Sequence, residues 1–431
     1  MEFLDETLDF FHCHSAPGFV GLEGEVRQGL SNRRTRIRPT GILSLIAASC
    51  VVLVAPAALY TDAPTTQARA EILWTRPICV ETNRYIGWPS VCRLKNGDLM
   101  AVFSGDRAAH VCPFGKVQMV RSTDDGETWS APQTLANGPI DDRDAGIVQM
   151  PDGEIVVTWF TSVAYRYIMD KDWPESDPRH WWKRHDEKIS DAVRRDALGN
   201  WRVSSRDNGR TWSKPEKMKG VSQTPHGPIL LRDGTLFQIG RQFSESQQGA
   251  GEKGRTIIST WKSRDAGRTW ECLCPELPDE NGENSKPHQF HEPHAVELAD
   301  GTLVAQIRYH GPDRCMRQSV SRDGGKTWTP MTKTVLLGLP PHLLRLPGGT
   351  LLSVYGRRIS PNFGEFACLS DDGGQTWDVA NEICLAPHTD GDIGYPCSTL
   401  LANGDILTVF YQPMASKGKP CLMATRWRVK K

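Results

Sequence analysis

Arginine, histidine, carboxylate and tyrosine side chains recur at two kinds of position in this 431-residue chain, just before and just after short apolar stretches. The residues before such stretches are Arg143, Asp144, His226, Glu292, His294, His342, Asp392 and Tyr395. The residues after them are Asp106, Arg107, His110, Arg241, Arg308, His310, Arg357, Arg358 and Tyr411. Such a set suits a small, polar, anionic ligand, because several guanidinium groups can bind one carboxylate through charge-assisted hydrogen bonds.

The apolar stretches come in pairs, and each pair is joined by a two-residue turn that contains glycine. The six pairs span residues 91–103, 147–160, 229–239, 295–307, 343–355 and 399–411. Asn-Gly or Asp-Gly between alternating apolar residues is the strongest short-range signal for a β-hairpin. The sequence therefore predicts six hairpins.

A second repeat, Ser-x-Asp-x-Gly-x-x-Trp, alternates with these hairpins. Its five copies span residues 122–129, 205–212, 263–270, 321–328 and 370–377. In each copy we expect the aspartate to accept backbone hydrogen bonds, the glycine to adopt a positive φ, and the tryptophan to pack on the sheet. Four strands per repeat predict an all-β fold, a six-bladed β-propeller over residues 71–431. The sixth blade lacks a box, and residues 71–80 and 421–429 are expected to close it.

In such a propeller the glycine turns and the boxes share one face, so the polar residues converge on the other face around the central channel. One long insertion, residues 165–200, lies on that face in the second blade. Asp177-Pro178 and Gly199 predict that residues 179–198 are mostly helical. The insertion is therefore a candidate wall of the site.

These motifs resemble the sialidase (neuraminidase) superfamily of six-bladed propellers, over nearly all of residues 71–431. Three positions match that family in spacing as well as in type. Glu292 precedes the first strand of the fourth blade, Arg308 follows it by sixteen residues, and Tyr395 lies nine residues before Gly404.

The resemblance implies a retaining glycosidase that needs no metal or cofactor. It assigns Tyr395 as nucleophile, Glu292 as the base that takes its proton, and Arg308 as one of three arginines that bind the substrate carboxylate. A neutral tyrosine suits a sugar with a carboxylate on its anomeric carbon, because that carboxylate would repel a charged nucleophile.

Two of the roles that the family implies have more than one candidate here, and a third lacks its usual residue. The last arginine is Arg357 or Arg358, of which only one can face the channel, since neighbouring strand residues point to opposite sides. The first-blade arginine position holds Gly87, and Arg84 is the candidate substitute, while Arg107 is expected among the substrate-binding residues. The acid/base is Asp106 or His110.

We expect the remaining polar residues to have supporting rather than catalytic roles. Asp144 is expected to bind a substrate hydroxyl or to orient an arginine, and His294 and Asp392 to line the pocket. His226, His294 and His342 are interpreted as hydrogen-bonded channel residues rather than zinc ligands, because neither a helix-spaced nor a short-loop ligand set accompanies them.

Composition and the N-terminal sequence limit the partners and the cellular locations that we expect for this chain. Lysine plus arginine equals aspartate plus glutamate at 51 each, so no electrostatic argument favours nucleic acid or an anionic membrane. Arginines at 33, 34, 36 and 38, an apolar run at 41–60 and Ala68-Arg69-Ala70 predict that residues 1–70 carry a secretory signal. We expect a secreted or periplasmic protein, with an uncleaved membrane anchor as the alternative. A disulfide between Cys79 and Cys421, or two buried thiols, is expected at the closure.

Three functions are compatible with the sequence. The first is an exported exo-sialidase that acts on terminal sialosides or a related acidic sugar. The second is a hydrolase or lyase for another sugar, which Gly87 and the histidine-rich rim favour. The third is a glycan-binding propeller without catalysis.

Overall fold

The computed structural model describes residues 65–169, 177, 179–242, 256–279, 282, 289–415 and 418–430. Twenty-five strands in these residues form six antiparallel sheets. The first two strands are β1 Thr65–Thr66 and β2 Ala70–Cys79. Blade 1 consists of β3 Tyr85–Arg93, β4 Leu99–Arg107, β5 Lys116–Ser122 and β6 Gln133–Ala136. Blade 2 consists of β7 Asp141–Gln149, β8 Ile155–Ser162, β9 Asn200–Ser205 and β10 Glu216–Met218. Blade 3 consists of β11 Ile229–Leu230, β12 Leu236–Gln242, β13 Ile257–Ser263 and β14 Glu271–Cys274. Blade 4 contains β15 Phe290–Glu297, β16 Leu303–Tyr309, β17 Cys315–Ser321 and β18 Thr332–Leu337. Blade 5 contains β19 Leu339–Arg345, β20 Leu351–Arg357, β21 Gly364–Ser370 and β22 Ile383–Pro387. Blade 6 contains β23 Gly394–Leu400, β24 Ile406–Pro413 and β25 Pro420–Val429, and β1 and β2 complete it.

The two ends of the described chain close the ring, as the sequence predicted. In the sixth sheet β2 pairs with β25, from Ala70 opposite Val429 to Cys79 opposite Leu422, and β25 pairs with β24. The hydroxyls of Thr75 and Thr425 hydrogen-bond across this seam at 2.9 Å. Without β2 the outer edge of β25 would be unpaired, and an unpaired edge can associate with another chain. The six-bladed, all-β architecture is confirmed.

The boxed turns have the chemistry expected of them. In the third box Asp265 Oδ1 accepts hydrogen bonds from the Ser263 hydroxyl at 2.8 Å and the Thr269 amide at 2.9 Å. Gly267 has a φ of +84°, and the Trp270 indole donates to its carbonyl at 3.0 Å. The aspartate of each box is therefore satisfied within its own eight residues. Other box groups reach neighbouring blades, since the Trp377 indole donates to Gln318 Oε1 of the fourth blade at 3.1 Å.

Apolar clusters between neighbouring blades hold the disc together. Phe237 of β12 packs at 6.2 Å between ring centroids from Trp328, the box tryptophan of the next blade. Leu99 and Phe103 of β4 are completely buried in the cluster that joins blades 1 and 6. Burial of one such side chain contributes roughly 1.5–3 kcal/mol. The scaffold around the channel is therefore rigid.

The insertion in blade 2 is helical, but it is divided. It contains α1 Tyr165–Met169, α2 Arg179–Asp186 and α3 Asp191–Ala197. The single helix expected over 179–198 is interrupted before Ser190, whose hydroxyl caps α3 by accepting from the Val193 amide at 3.3 Å. Residue 178 of the predicted start lies outside the described residues.

Residues 1–64 of the predicted leader, which include the apolar run at 41–60, also lie outside the described residues. Arg69 ion-pairs with Asp371 and Asp378, so the last residues before the predicted boundary at 70 contact the fifth blade. Export and the domain boundary remain predictions. Within the described part of the chain no helix is long and apolar enough to cross a bilayer. All ten cysteines there are free thiols, Cys79 and Cys421 among them.

Candidate active site

The first strand of four blades carries a β-bulge that aims one side chain at the channel. At these bulges Trp88, Asp144, Glu292 and Tyr395 adopt φ values of 56°, 51°, 35° and 55°. A positive φ costs a non-glycine residue of order 1–3 kcal/mol and persists only where the surroundings impose it. Bulges re-aim side chains and are common beside active sites. Blades 1, 2, 4 and 6 thus present one strained residue each at corresponding positions.

Tyr395, Glu292 and Arg308 form the centre of the site. The Tyr395 hydroxyl donates to Glu292 Oε1 at 2.5 Å, and Arg308 Nη1 donates to Glu292 Oε2 at 2.6 Å. The same guanidinium nitrogen lies 3.3 Å from the Tyr395 oxygen. Three residues from the fourth and sixth blades therefore meet in one buried, hydrogen-bonded group.

Burial and charge set opposite protonation preferences in this group. Burial raises the pKa of the Tyr395 hydroxyl well above its usual value of 10, and the neighbouring Glu292 carboxylate raises it further. Burial would also raise the pKa of Glu292, but the charge of Arg308 and hydrogen bonds from Tyr395 and Arg308 outweigh it, so the pKa lies below its usual 4.5. The phenol is thus protonated beside an ionised acceptor.

A second tyrosine–carboxylate pair stands at the edge of the site. The Tyr85 hydroxyl donates to Asp392 Oδ1 at 2.7 Å and lies 2.6 Å from His110 Nδ1. Burial lowers the pKa of His110 below 6.5, although Asp392 opposes the shift. The His110 side chain is 35% exposed, so it lies at the mouth of the pocket. Sequence analysis selected His110 and Asp392 but missed Tyr85, which carries no distinguishing motif.

Arg358 faces this site, whereas its neighbour Arg357 does not. Arg358 donates from Nε to the Ile393 carbonyl at 2.8 Å and from Nη2 to the Tyr411 hydroxyl at 2.8 Å, and its guanidinium lies 5.6 Å from the centre of the Tyr395 ring. Its Nη1 makes no hydrogen bond to a described residue. Arg357 instead pairs with Glu382 at 2.5 Å, away from the channel.

Asp144 is buried and Arg143 is partly buried, and each keeps one buried polar atom without a hydrogen bond among the described residues. The Arg143 guanidinium lies 4.5 Å from the centre of the Trp88 ring, and its closest ion-pair atom is Asp141 Oδ2 at 3.9 Å. Its Nε and Asp144 Oδ1 are buried and lack hydrogen-bond partners among the described residues. Burial raises the pKa of Asp144 to about 7, against the opposing charge of Arg143. Buried polar groups left unpaired are costly, which points to a ligand that would pair them.

Three other selected residues are engaged elsewhere. Arg107 is completely buried and donates to both carboxylate oxygens of Asp141, at 2.6 and 2.9 Å. The Arg84 side chain is half exposed and pairs with Asp106 Oδ1 at 2.9 Å, while Lys116 binds Asp106 Oδ2. Arg84, Arg107 and Asp106 therefore lie outside the group around Tyr395. The sequence placed Arg143 before a first strand on the channel face, beside Asp144, but gave it no part in binding the carboxylate.

The three histidines line the channel behind the tyrosine. The His294 and His342 rings stack at 4.3 Å, and His226 contacts His342 edge-on at 5.3 Å. His294 Nδ1 accepts from the Leu343 amide at 3.0 Å, in the next blade. Burial lowers the pKa of all three, that of His342 to about 3. In the described residues no cluster of histidine, cysteine and carboxylate side chains has the arrangement to hold a metal ion.

Comparison with known proteins places this geometry in a family. The family described as BNR repeat-like domain matches residues 175–409. A curated sialidase from Bacteroides fragilis is 26% identical over 347 residues, which are 73% of this chain and 57% of that protein, so the chain spans little more than half of its relative.

Solved structures show the same fold at low identity. A protein of unknown function from Dyadobacter fermentans has a TM-score of 0.64 at 21% identity, over 85% of this chain and 99% of that one. The NanB sialidase of Streptococcus pneumoniae has a TM-score of 0.58 at 13% identity, over 83% and 70% of the two chains. An α-L-arabinanase from Penicillium chrysogenum has a TM-score of 0.54 at 13% identity, over 84% and 98%. Because the family match covers more than half of the chain, the protein belongs to the family of BNR repeat-like domains.

Proposed function

We propose that the protein is a retaining exo-glycosidase that removes a terminal sialic acid or a related acidic sugar. The observation that carries the proposal is the contact of the Tyr395 hydroxyl with Glu292 at 2.5 Å, beside Arg308. A phenol is a weak nucleophile until a base takes its proton, and here the ionised base already accepts that hydrogen bond. The similarity to the sialidase from Bacteroides fragilis also supports this function.

In the first step Tyr395 attacks the anomeric carbon. A bond forms from its oxygen to that carbon as the bond to the leaving oxygen breaks, and the phenol proton passes to Glu292 Oε1. Arg308 stabilises the charge that develops on the phenol oxygen, since it lies 3.3 Å away and is buried. In the second step water attacks the glycosyl-tyrosine, and Tyr395 recovers its proton from Glu292.

His110 is the acid/base in this proposal. It lies at the pocket mouth, where the leaving group departs, and Tyr85 and Asp392 hold its Nδ1 side. It gives a proton to the leaving oxygen in the first step and takes one from water in the second. Asp106 is the weaker candidate, because Arg84 and Lys116 bind its two carboxylate oxygens.

Arg308, Arg358 and Arg143 form the anion-binding group. Arg143 takes the place of an arginine at Gly87, because Arg84 and Arg107 are bound to Asp106 and Asp141. A substrate carboxylate would give the Arg143 guanidinium the hydrogen bonds that it lacks. Asp144, beside it, would accept a hydrogen bond from a sugar hydroxyl.

A panel of aryl glycosides tests the proposal, with a sialoside, a uronide and an arabinoside included. Sialoside or uronide turnover is expected, and the change Tyr395→Phe should abolish it while leaving the thermal unfolding midpoint unchanged. Tyr395→Phe keeps the ring that packs 6.3 Å from Trp88, so the fold is preserved. Binding without turnover of any glycoside would contradict the proposal.

A second candidate is hydrolysis of a different sugar. The observation that favours it is that the first blade offers Gly87 and the Trp88 ring where the sialidase family has an arginine. Turnover of the arabinoside alone in the same panel would select this candidate.

A further inference from the structure

A cavity opens at the edge of the helical insertion, outside the group around Tyr395. Its volume is about 520 Å³, and it is lined by Phe114, Trp181, Arg184, His185, Glu187 and Lys188. Trp181 is 65% exposed, more than any other large apolar side chain in the described part of the chain. A large exposed indole beside charged side chains offers both an apolar face and hydrogen-bonding groups, the two features that small-ligand sites combine.

The cavity is ordered by specific contacts. The Arg184 guanidinium lies 5.0 Å over the Trp181 ring, which covers one face of the indole and leaves the side chain otherwise exposed. Phe114 meets the His185 ring edge-on at 4.9 Å, and His185 Nε2 lies 3.0 Å from the Pro139 carbonyl. Aromatic side chains from a loop and a helix thus form one platform with hydrogen-bonding groups at its rim.

One loop connects the cavity to the proposed acid/base. His110 and Phe114 are four residues apart after β4, so their Cα atoms are at most about 14 Å apart. Between them Val111 and Cys112 pack with Trp182 and Tyr165 in the apolar core of the insertion. The loop and the helices therefore form one unit that extends from the pocket mouth to Trp181.

We propose that this cavity binds the neutral sugars on the leaving-group side of the glycan. The inference rests on the proposed function, because the short loop from the proposed acid/base His110 leads to Phe114, which lines the cavity with Trp181. The open indole face would stack on the C–H face of a hexopyranose, while Arg184, Glu187 and Lys188 would bind its hydroxyls. Binding sites of this kind combine aromatic walls with a few polar groups that fix orientation.

The kinetic test compares two substrates with the same terminal sugar, 3′-sialyllactose and a 4-methylumbelliferyl sialoside. Trp181→Ala is expected to lower kcat/KM for 3′-sialyllactose by roughly three- to tenfold and to leave the aryl substrate unchanged. Trp181→Tyr should restore most of the loss. Val193→Ala is the control, because Val193 is 46% exposed in α3 but does not line the cavity. An equal effect of Trp181→Ala on both substrates, or no effect on either, would overturn the inference.

A binding test does not depend on turnover. Saturation-transfer NMR of the full chain with lactose, cellobiose and maltotriose should show transfer that Trp181→Ala removes and Val193→Ala retains. If neither the sialosides nor the uronide of the panel is hydrolysed, the proposed function fails, and this test still decides whether the cavity binds neutral sugars. Absence of transfer to all three sugars in the unmutated protein would overturn the inference.

Discussion

The two faces of the propeller use the same kinds of polar residue in opposite ways. On the boxed face Asp265 hydrogen-bonds to residues of its own turn, and the other four boxes repeat that pattern. On the opposite face Glu292 pairs with Tyr395, which is 103 residues away, and Arg143 and Asp144 each keep one buried polar atom unpaired among the described residues. The box aspartates are satisfied locally, whereas the residues of the candidate site find their partners in other blades or keep unpaired atoms.

The two faces also differ in which residues adopt a positive φ. At each box a glycine such as Gly267 takes a positive φ at little steric cost, and in three boxes the residue before it (Asp125, Asn208 or Ala266) does so too. At the four bulges Trp88, Asp144, Glu292 and Tyr395 take it, and their strain is compatible with folding because the packed sheets impose it. Repetition therefore accounts for the boxed turns on one face, and departures from repetition shape the candidate site on the other.

The change Glu292→Gln should lower kcat/KM more than any other change considered for the site face. Removing the proton acceptor is expected to lower kcat/KM by about 10³-fold on the glycoside that the panel identifies. Glu382→Gln is the matched control, because Glu382 pairs with Arg357 away from the channel, and it should change kcat/KM less than about twofold. Equal losses in the two variants would show that Glu292 acts only through stability.

The change Arg143→Met tests whether the unpaired guanidinium serves the ligand. Loss of a charge-assisted hydrogen bond is expected to lower kcat/KM by about 10- to 100-fold, mainly through KM. Arg84→Met removes an arginine that is already bound to Asp106 and should leave kcat/KM nearly unchanged. A stronger effect of Arg84→Met than of Arg143→Met would reverse the assignment of the third arginine.

The pH profile of kcat/KM should be bell-shaped with an acidic optimum. The reaction needs His110 protonated, and its pKa is below 6.5, so the rate should fall about tenfold per unit as pH rises beyond that pKa. It also needs Glu292 ionised, and its pKa is below 4.5, so the rate should fall again in stronger acid. His110→Gln should flatten the alkaline limb. An optimum above pH 7 would contradict the role of His110.

The change Asp265→Ala should affect only the boxed face. It removes hydrogen bonds to Ser263, Arg268 and Thr269, and the expected loss is about 1–2 kcal/mol in the free energy of unfolding. Urea titration measures this loss. The value of kcat/KM should stay within about twofold, since no box residue lies at the channel mouth. A large loss of activity at unchanged stability would mean that the two faces are coupled.

The sequence by itself determined the blades, the boxed turns, the ring closure and the assignment of Glu292, Arg308 and Tyr395 to one face. These follow from local patterns: a glycine turn or a box fixes its own hairpin, and repetition fixes where each strand ends. The tertiary structure alone decided which arginines and acids reach the pocket. Asp141 binds Arg107, and Arg84 and Lys116 bind Asp106. Tyr85 hydrogen-bonds to Asp392, which is 307 residues away along the chain. Such partners belong to different segments whose contact depends on blade packing and bulge geometry, and no spacing along the chain encodes them.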